Sequence, residues 1–140
     1  MYRLLARALV RRAIRSHQAG DVRGVLRTYA RDVHFVFPGR SSWSADLRGR
    51  QAVEPWLRRF HEVGLQLDVD EIVIGGWPWR TVIVLHFTDH LRDADGRIVY
   101  ENTGVIYGHA RWGMITYYTV YEDTQRVAEL DTYLMGAGRT

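Results

Sequence analysis

The chain has 140 residues, a net charge of +3, 46% hydrophobic residues and 25% charged ones, proportions that suit one compact domain with a sizeable core. It has no cysteine, which excludes disulfides, thiolate catalysis and cysteine-ligated zinc. No apolar run approaches the roughly 20 residues needed to cross a bilayer, and lysine is absent, so arginine carries all the permanent positive charge of the side chains.

Residues Tyr2 to His17 read as a helix. Leu5, Ala8, Leu9 and Ala13 keep helical spacing, and Arg3, Arg7, Arg11, Arg12 and Arg15 take much of the remaining surface. Such an Arg-rich, acid-free start suits a transit peptide, a nucleic-acid face or the solvated side of an amphipathic helix. The last is favoured. The rest of the chain mixes both signs and shows no basic strand studded with base-stacking aromatics. The segment also leads directly into the fold. The expectation is therefore no nucleic-acid or membrane partner and, without a visible secretion signal, a cytoplasmic location.

Gly20 is placed to end this helix, and Asp21 to cap a second, shorter one through about Ala30. A strand is predicted from Val33 to Phe37, stopped by Pro38-Gly39. Arg40 to Leu47 reads as a polar loop containing Trp43. Helical periodicity returns from Gly49 to Val63, with Val53, Trp56, Leu57 and Phe60 on one side. From Leu67 the period becomes two. Strands run over Leu67–Ile74 and Thr81–Leu91, with turns at Gly75 to Trp79 and at Asp93 to Gly96.

The stretch from Ile98 to Thr124 reads as two long antiparallel strands joined at Arg111-Trp112-Gly113-Met114. Its first strand sorts Ile98, Tyr100, Asn102, Gly104, Ile106 and Ala110 to one face, and Glu101, Thr103, Tyr107, His109 and Arg111 to the other. A helix from about Gln125 to Leu134 closes the chain. Helices gathered before an antiparallel meander imply an α+β fold in which a curved sheet, closed by helices, forms a cone around a small-molecule pocket.

This order, with several local motifs, resembles the SnoaL-like branch of the nuclear transport factor 2-like superfamily over nearly the whole chain. Ala19-Gly20-Asp21 followed by Leu26, Tyr29, Ala30 and Asp32-Val33 is similar to the family's opening helix pair and first strand. Phe37-Pro38-Gly39, Leu47-Arg48-Gly49-Arg50, Tyr100-Glu101-Asn102 with Gly113 and Ile115, and Tyr121-Glu122-Asp123-Thr124 follow in the family's order. The resemblance implies a single SnoaL-like domain over residues 1–140 and a cone-shaped α+β barrel. It also implies a homodimer through the outer sheet face, where Tyr107, His109 and Tyr117 would supply contact area. The superfamily contains ketosteroid isomerases, polyketide cyclases, scytalone dehydratase, limonene epoxide hydrolases and non-catalytic binding domains, so the fold alone assigns no activity.

Candidate chemistry is thus weighed residue by residue. Asp89 shares a strand face with Ile83, Leu85 and Phe87, where desolvation would raise its pKa and suit it to acid–base work; the bland alternative is a solvated or Arg-paired carboxylate. In limonene epoxide hydrolases this strand carries an arginine and an aspartate two residues apart, and the final strand adds a second aspartate. The resemblance puts Asp89 at the first aspartate, Phe87 at the arginine and Val120 at the second aspartate, so epoxide hydrolysis of that kind is not expected. The ketosteroid isomerase base follows the first strand, where this chain has Phe37 and Pro38.

Asn102 is a lone amide on an apolar face. It is either a ligand-binding or oxyanion-type donor or a buried tie between backbone segments. His34 is a candidate proton shuttle if it faces inward, although Val33, Phe35 and Phe37 form the more apolar set. Trp43, Trp56, Trp77, Phe87, Tyr118 and Tyr121 are candidates to line the pocket, against ordinary core packing. Tyr118, in phase with Val120, would offer a hydroxyl to a ketone. Asp123 reads as the cap of the final helix, and Glu122 beside it, on the other side of the strand, as a weaker acid–base candidate. No metal site and no cofactor are expected.

Two readings follow. One is a cofactor-independent enzyme for isomerisation, dehydration or cyclisation of a largely apolar carbonyl compound, with Asp89 and His34 catalytic. The other is a non-catalytic binding or dimeric assembly module.

Overall fold

A computed structural model describes residues 1–139. In chain order it contains α1 (Tyr2–Gln18), α2 (Val22–Leu26), β1 (Tyr29–Phe37), β2 (Ala45–Arg48), α3 (Arg50–Val63), β3 (Gln66–Trp77), β4 (Arg80–Arg92), β5 (Ile98–Arg111), β6 (Met114–Glu122) and α4 (Thr124–Gly136). The six strands form one curved sheet in the order β2-β1-β6-β5-β4-β3. Helices gather on its inner face, giving the α+β architecture expected from the periodicity.

The sheet differs from the expectation in being mixed rather than antiparallel, because β1 lies parallel to β6, with Phe35 opposite Tyr118. It is curved and unclosed, with β2 and β3 at its edges. The segment read as a polar loop contains β2, which pairs with β1 from Phe37↔Ala45 to His34↔Arg48. Its four residues are too few to show a period in sequence.

Element ends follow local chemistry. Gly20, at φ +71°, makes the break after α1. The Asp21 carboxylate then accepts from the Gly24 amide and caps α2, which stops at Leu26 rather than near Ala30. β3 continues to Trp77, so its turn to β4 is only Pro78-Trp79. Asp123 accepts from the Gln125 and Arg126 amides and caps α4.

The main core joins the inner face of β1, β6 and the far half of β4 to α2, α3 and α4 through Phe35, Phe37, Leu57, Phe60, Leu91 and Leu134. A smaller cluster packs Val10 of α1 against Ile74, Ile83, Leu85 and Ala110. The α1 face predicted from Leu5, Ala8, Leu9 and Ala13 is therefore rotated. Leu5 and Ala8 are exposed, and Val10 and Ile14 pack inward. Ile98 is likewise exposed, because β5 has not yet entered the core there.

Candidate functional site

Between α1, α3 and the inner face of the sheet lies a cavity of about 110 Å³. Its walls are mostly apolar: Val10 and Ile14 from α1, Trp56 and Phe60 from α3, and Leu85 and Phe87 from β4. The polar groups along it are Asp89, Glu122, Tyr29, Tyr118 and His17. This combination of apolar walls and a few polar groups is that of a small-molecule site.

Asp89 and Glu122 are brought together by strand register. Asp89 on β4 lies opposite Asn102 of β5, and Glu122 on β6 lies opposite Gly104. β5 therefore separates them, but its nearest inward position carries no side chain. A Cβ at Gly104 would meet the Tyr121 carbonyl oxygen at 2.3 Å and Phe87 Cζ at 2.9 Å. The glycine leaves room for the flanking side chains to close over β5.

Asp89 is 4% exposed. Asp89 Oδ1 and Glu122 Oε2 are buried without a hydrogen-bond partner among the described residues. No Arg or His there lies within ion-pair distance of either group. Burial pushes the Asp89 carboxyl well above the usual carboxylate range, and its hydrogen bond with Glu122 draws it partly back. Glu122 is pushed up further, by burial first and then by the charge of Asp89 and the hydrogen bond to it. The two carboxyls thus titrate as one coupled pair, both raised above the ordinary carboxylate range. A second space of about 20 Å³, lined by Trp43, Tyr100, Asp89 and Glu122, adjoins the pair and is large enough for one water.

Further along the cavity the Tyr29 hydroxyl donates to the Tyr118 hydroxyl at 2.9 Å. Burial pushes Tyr29 up to about 12 and Tyr118 well above its ordinary value, so both stay protonated. Accepting from Tyr29 leaves the Tyr118 proton available to a ligand oxygen. His17 ends the inward row Val10-Ala13-Ile14-His17 of α1. Burial, then the neighbouring His61, lowers its pKa to about 4, so it is a neutral imidazole.

The predicted site residues divide. Asp89, Tyr118, Trp56 and Phe87 line the cavity, and Trp43 lines the smaller space beside the carboxyls. Trp43 is held there by the Trp56 Nε1–H, which donates to its carbonyl at 2.9 Å, and by the Arg59 guanidinium 3.8 Å above its ring. Asn102 is buried but does not line the cavity. Its Nδ2 donates to the Tyr100 hydroxyl and the Asp123 carbonyl, and its Oδ1 accepts from the Thr103 amide. It ties β5 to the start of α4.

His34 does not reach the cavity. The Val33-Phe35-Phe37 set faces the core, so His34 is on the outer sheet face, 2.6 Å from Asp46. Tyr121 is 53% exposed on that outer face as well, one residue out of phase with Tyr118 and Val120. Trp77, also expected to line the pocket, is instead 64% exposed, while the sequence reading does not include Tyr29 or His17 in the cavity and ranks Glu122 only as a weaker acid–base candidate. Glu122 continues the even-numbered phase of Tyr118 and Val120, and His17 continues the Val10–Ile14 row; both signals are visible once the correct phase is taken. Among the described residues no three metal-ligating side chains converge.

No family model and no curated protein matches the sequence. Solved structures do match in fold. An NTF2-like protein of unknown function from Burkholderia pseudomallei aligns with TM-score 0.77 and 21% identity, over 91% of this chain and 97% of that one. TerC, co-crystallised with polyporic acid, aligns with TM-score 0.71 and 19% identity, over 91% and 98% of the two chains. A proposed polyketide cyclase from Xanthomonas campestris aligns with TM-score 0.68 and 22% identity, over 92% and 98%. The fold is that of the nuclear transport factor 2-like proteins.

Proposed function

We propose that the protein is a cofactor-independent proton-transfer catalyst acting on a small, largely apolar carbonyl compound. The observation that carries this reading is the buried Asp89–Glu122 pair, with no cation within ion-pair distance among the described residues, facing an apolar cavity that also holds Tyr118. Ionised Asp89 takes a proton from carbon next to the carbonyl. The Tyr118 hydroxyl, with Tyr29 donating to it, hydrogen-bonds the enolate oxygen that develops. Glu122 keeps its proton and hydrogen-bonds Asp89. Return of the abstracted proton from Asp89 to a different carbon gives isomerisation; its transfer to a departing β-hydroxyl, which leaves as water, gives dehydration; attack of the enolate on a second carbonyl, whose alkoxide oxygen takes that proton, gives cyclisation. The ligand of TerC and the cyclase proposal for the Xanthomonas protein agree with an aromatic or polyketide-like substrate. The outer sheet face, with the His109 ring packed against both Tyr107 and Tyr117, is the proposed homodimer surface.

Deuterium wash-in from heavy water tests the reading. Polycyclic and aryl ketones that stabilise the fold on binding should exchange their α-protons with the wild type and not with Asp89→Asn. Saturable binding of every such ketone without exchange would favour the alternative, a binding module of the same fold, for which the thin polar lining of the cavity speaks.

A further inference from the structure

One end of the molecule carries three exposed tryptophans. Trp77 and Trp79 flank the β3–β4 turn and stack with ring centroids 5.8 Å apart; Trp112, in the β5–β6 turn, lies 6.1 Å from Trp79. They are 64%, 53% and 66% exposed. The turns are tied by the Trp112 amide, which donates to the Pro78 carbonyl at 2.7 Å. Trp112 has φ +51°, a left-handed conformation that a bulky side chain adopts at a cost. The start of α1 joins the same end. The Tyr2 hydroxyl donates to the Trp77 carbonyl, and Met1, Leu4 and Leu5 at the start of the same helix are exposed.

The charge at this end has one sign. Segments 1–20, 72–88 and 103–121, which build it, contain no Asp or Glu, whereas Arg3, Arg80 and Arg111 are exposed there. Asp70 and Glu71 of β3 line a separate groove together with Arg7, Arg11 and Arg15. Clustered exposed tryptophans suit the boundary between headgroups and acyl chains, where an apolar ring and a polar N–H are both accommodated. A carboxylate-free arginine rim suits anionic headgroups.

The geometry points to a peripheral membrane-docking surface: the Trp77–Trp79–Trp112 cluster inserts at the interface of an anionic bilayer, together with Leu4 and Leu5 at the start of α1, and Arg3, Arg80 and Arg111 engage the headgroups. No helix among the described residues is long and apolar enough to cross a membrane. The expectation of no membrane partner rested on the length of apolar runs, which addresses crossing and not lying on the surface. The proposal stands apart from the chemistry of the cavity.

Vesicle co-sedimentation tests it, using phosphatidylcholine vesicles with and without about one-third phosphatidylglycerol. The whole chain should bind the anionic vesicles, with the bound fraction falling about tenfold at high salt, as screened headgroup contacts require. Acyl chains brominated near the glycerol should quench the exposed tryptophans. Trp77→Ser/Trp79→Ser/Trp112→Ser and, separately, Arg3→Gln/Arg80→Gln/Arg111→Gln should each lose binding while keeping wild-type circular dichroism and ketone binding. No binding, equal binding to neutral vesicles, or binding that survives the tryptophan substitutions would overturn the proposal. A fall in solution mass on removing the tryptophans, without vesicle binding by the wild type, would assign the surface to contact between copies of the chain.

Discussion

Asp89 and Asp70 carry the same carboxyl group on neighbouring strands of one sheet, in opposite chemical settings. Asp89 faces inward, with no cation within ion-pair distance among the described residues, and burial drives its pKa up. Asp70 faces outward, 2.6 Å from His86, and the hydrogen bond from that imidazole holds its pKa down. The outer face repeats the pattern with His34–Asp46 at 2.6 Å and His90–Asp68 at 3.8 Å. Strand alternation makes the division: on β4, His86 and His90 point out while Phe87 and Asp89 point in. Carboxylates beside water can be matched by flexible partners. The inner pair has no such partner among the described residues, so its burial is left uncompensated.

The contrast breaks most visibly if Asp89→Asn leaves proton exchange intact. It should instead lower the exchange rate by about 10²- to 10⁴-fold, with the ketone dissociation constant within a few fold of wild type. Asn102 sharpens the comparison, because it shares the inner face but spends its polar atoms on the chain itself. Asn102→Ala should cost about 1–3 kcal/mol in urea unfolding and leave the rate per folded molecule near wild type.

The pH dependence of stability has a definite sign. Unfolding returns both inner carboxyls to water, where they ionise near pH 4. Between there and their raised native values, the folded chain holds protons that the unfolded chain releases, so their contribution to stability falls as pH rises. Asp89→Asn removes this penalty. Its unfolding free energy relative to wild type, read by urea unfolding at each pH, should therefore rise from pH 5 to pH 9 by an amount on the order of 2 kcal/mol. A difference independent of pH would mean that the pair is ionised in the native protein.

Smaller effects should follow at the two remaining places. Tyr118→Phe removes the hydroxyl that faces the ligand and should weaken ketone binding by about tenfold, read by calorimetry. His86→Ala should leave both exchange rate and melting temperature within experimental error, because an exposed ion pair contributes little.

Much of this architecture was legible in the alternation of the strands. The phase of Ile83, Leu85, Phe87 and Asp89 placed the carboxylate inside, and the Val33-Phe35-Phe37 set already argued against His34. Glu122 ranks as the weaker candidate when the strand is phased from Asp123, whereas the phase of Tyr118 and Val120 runs straight to it. What alternation does not report is which strands adjoin. The meeting of Asp89 with Glu122 across Gly104 depends on β5 lying between β4 and β6, and the parallel contact of β1 with β6 joins segments some eighty residues apart. The α1 face was misplaced for a related reason: Leu4 and Leu5 are as apolar as Val10, and only the position of the sheet decides which side is covered.

The open edge of β3 has a consequence for how this chain keeps to itself. An unpaired strand edge is a template onto which another chain can add a strand. Here α1 lies along β3, with Arg7 donating to the Ile72 carbonyl and Gln18 to the Leu67 carbonyl. The edge also carries Asp68, Asp70 and Glu71, with a bulge between Val69 and Glu71. The first helix thus acts as a sheath, and a chain trimmed of its first eighteen residues would expose a strand ready for runaway self-assembly.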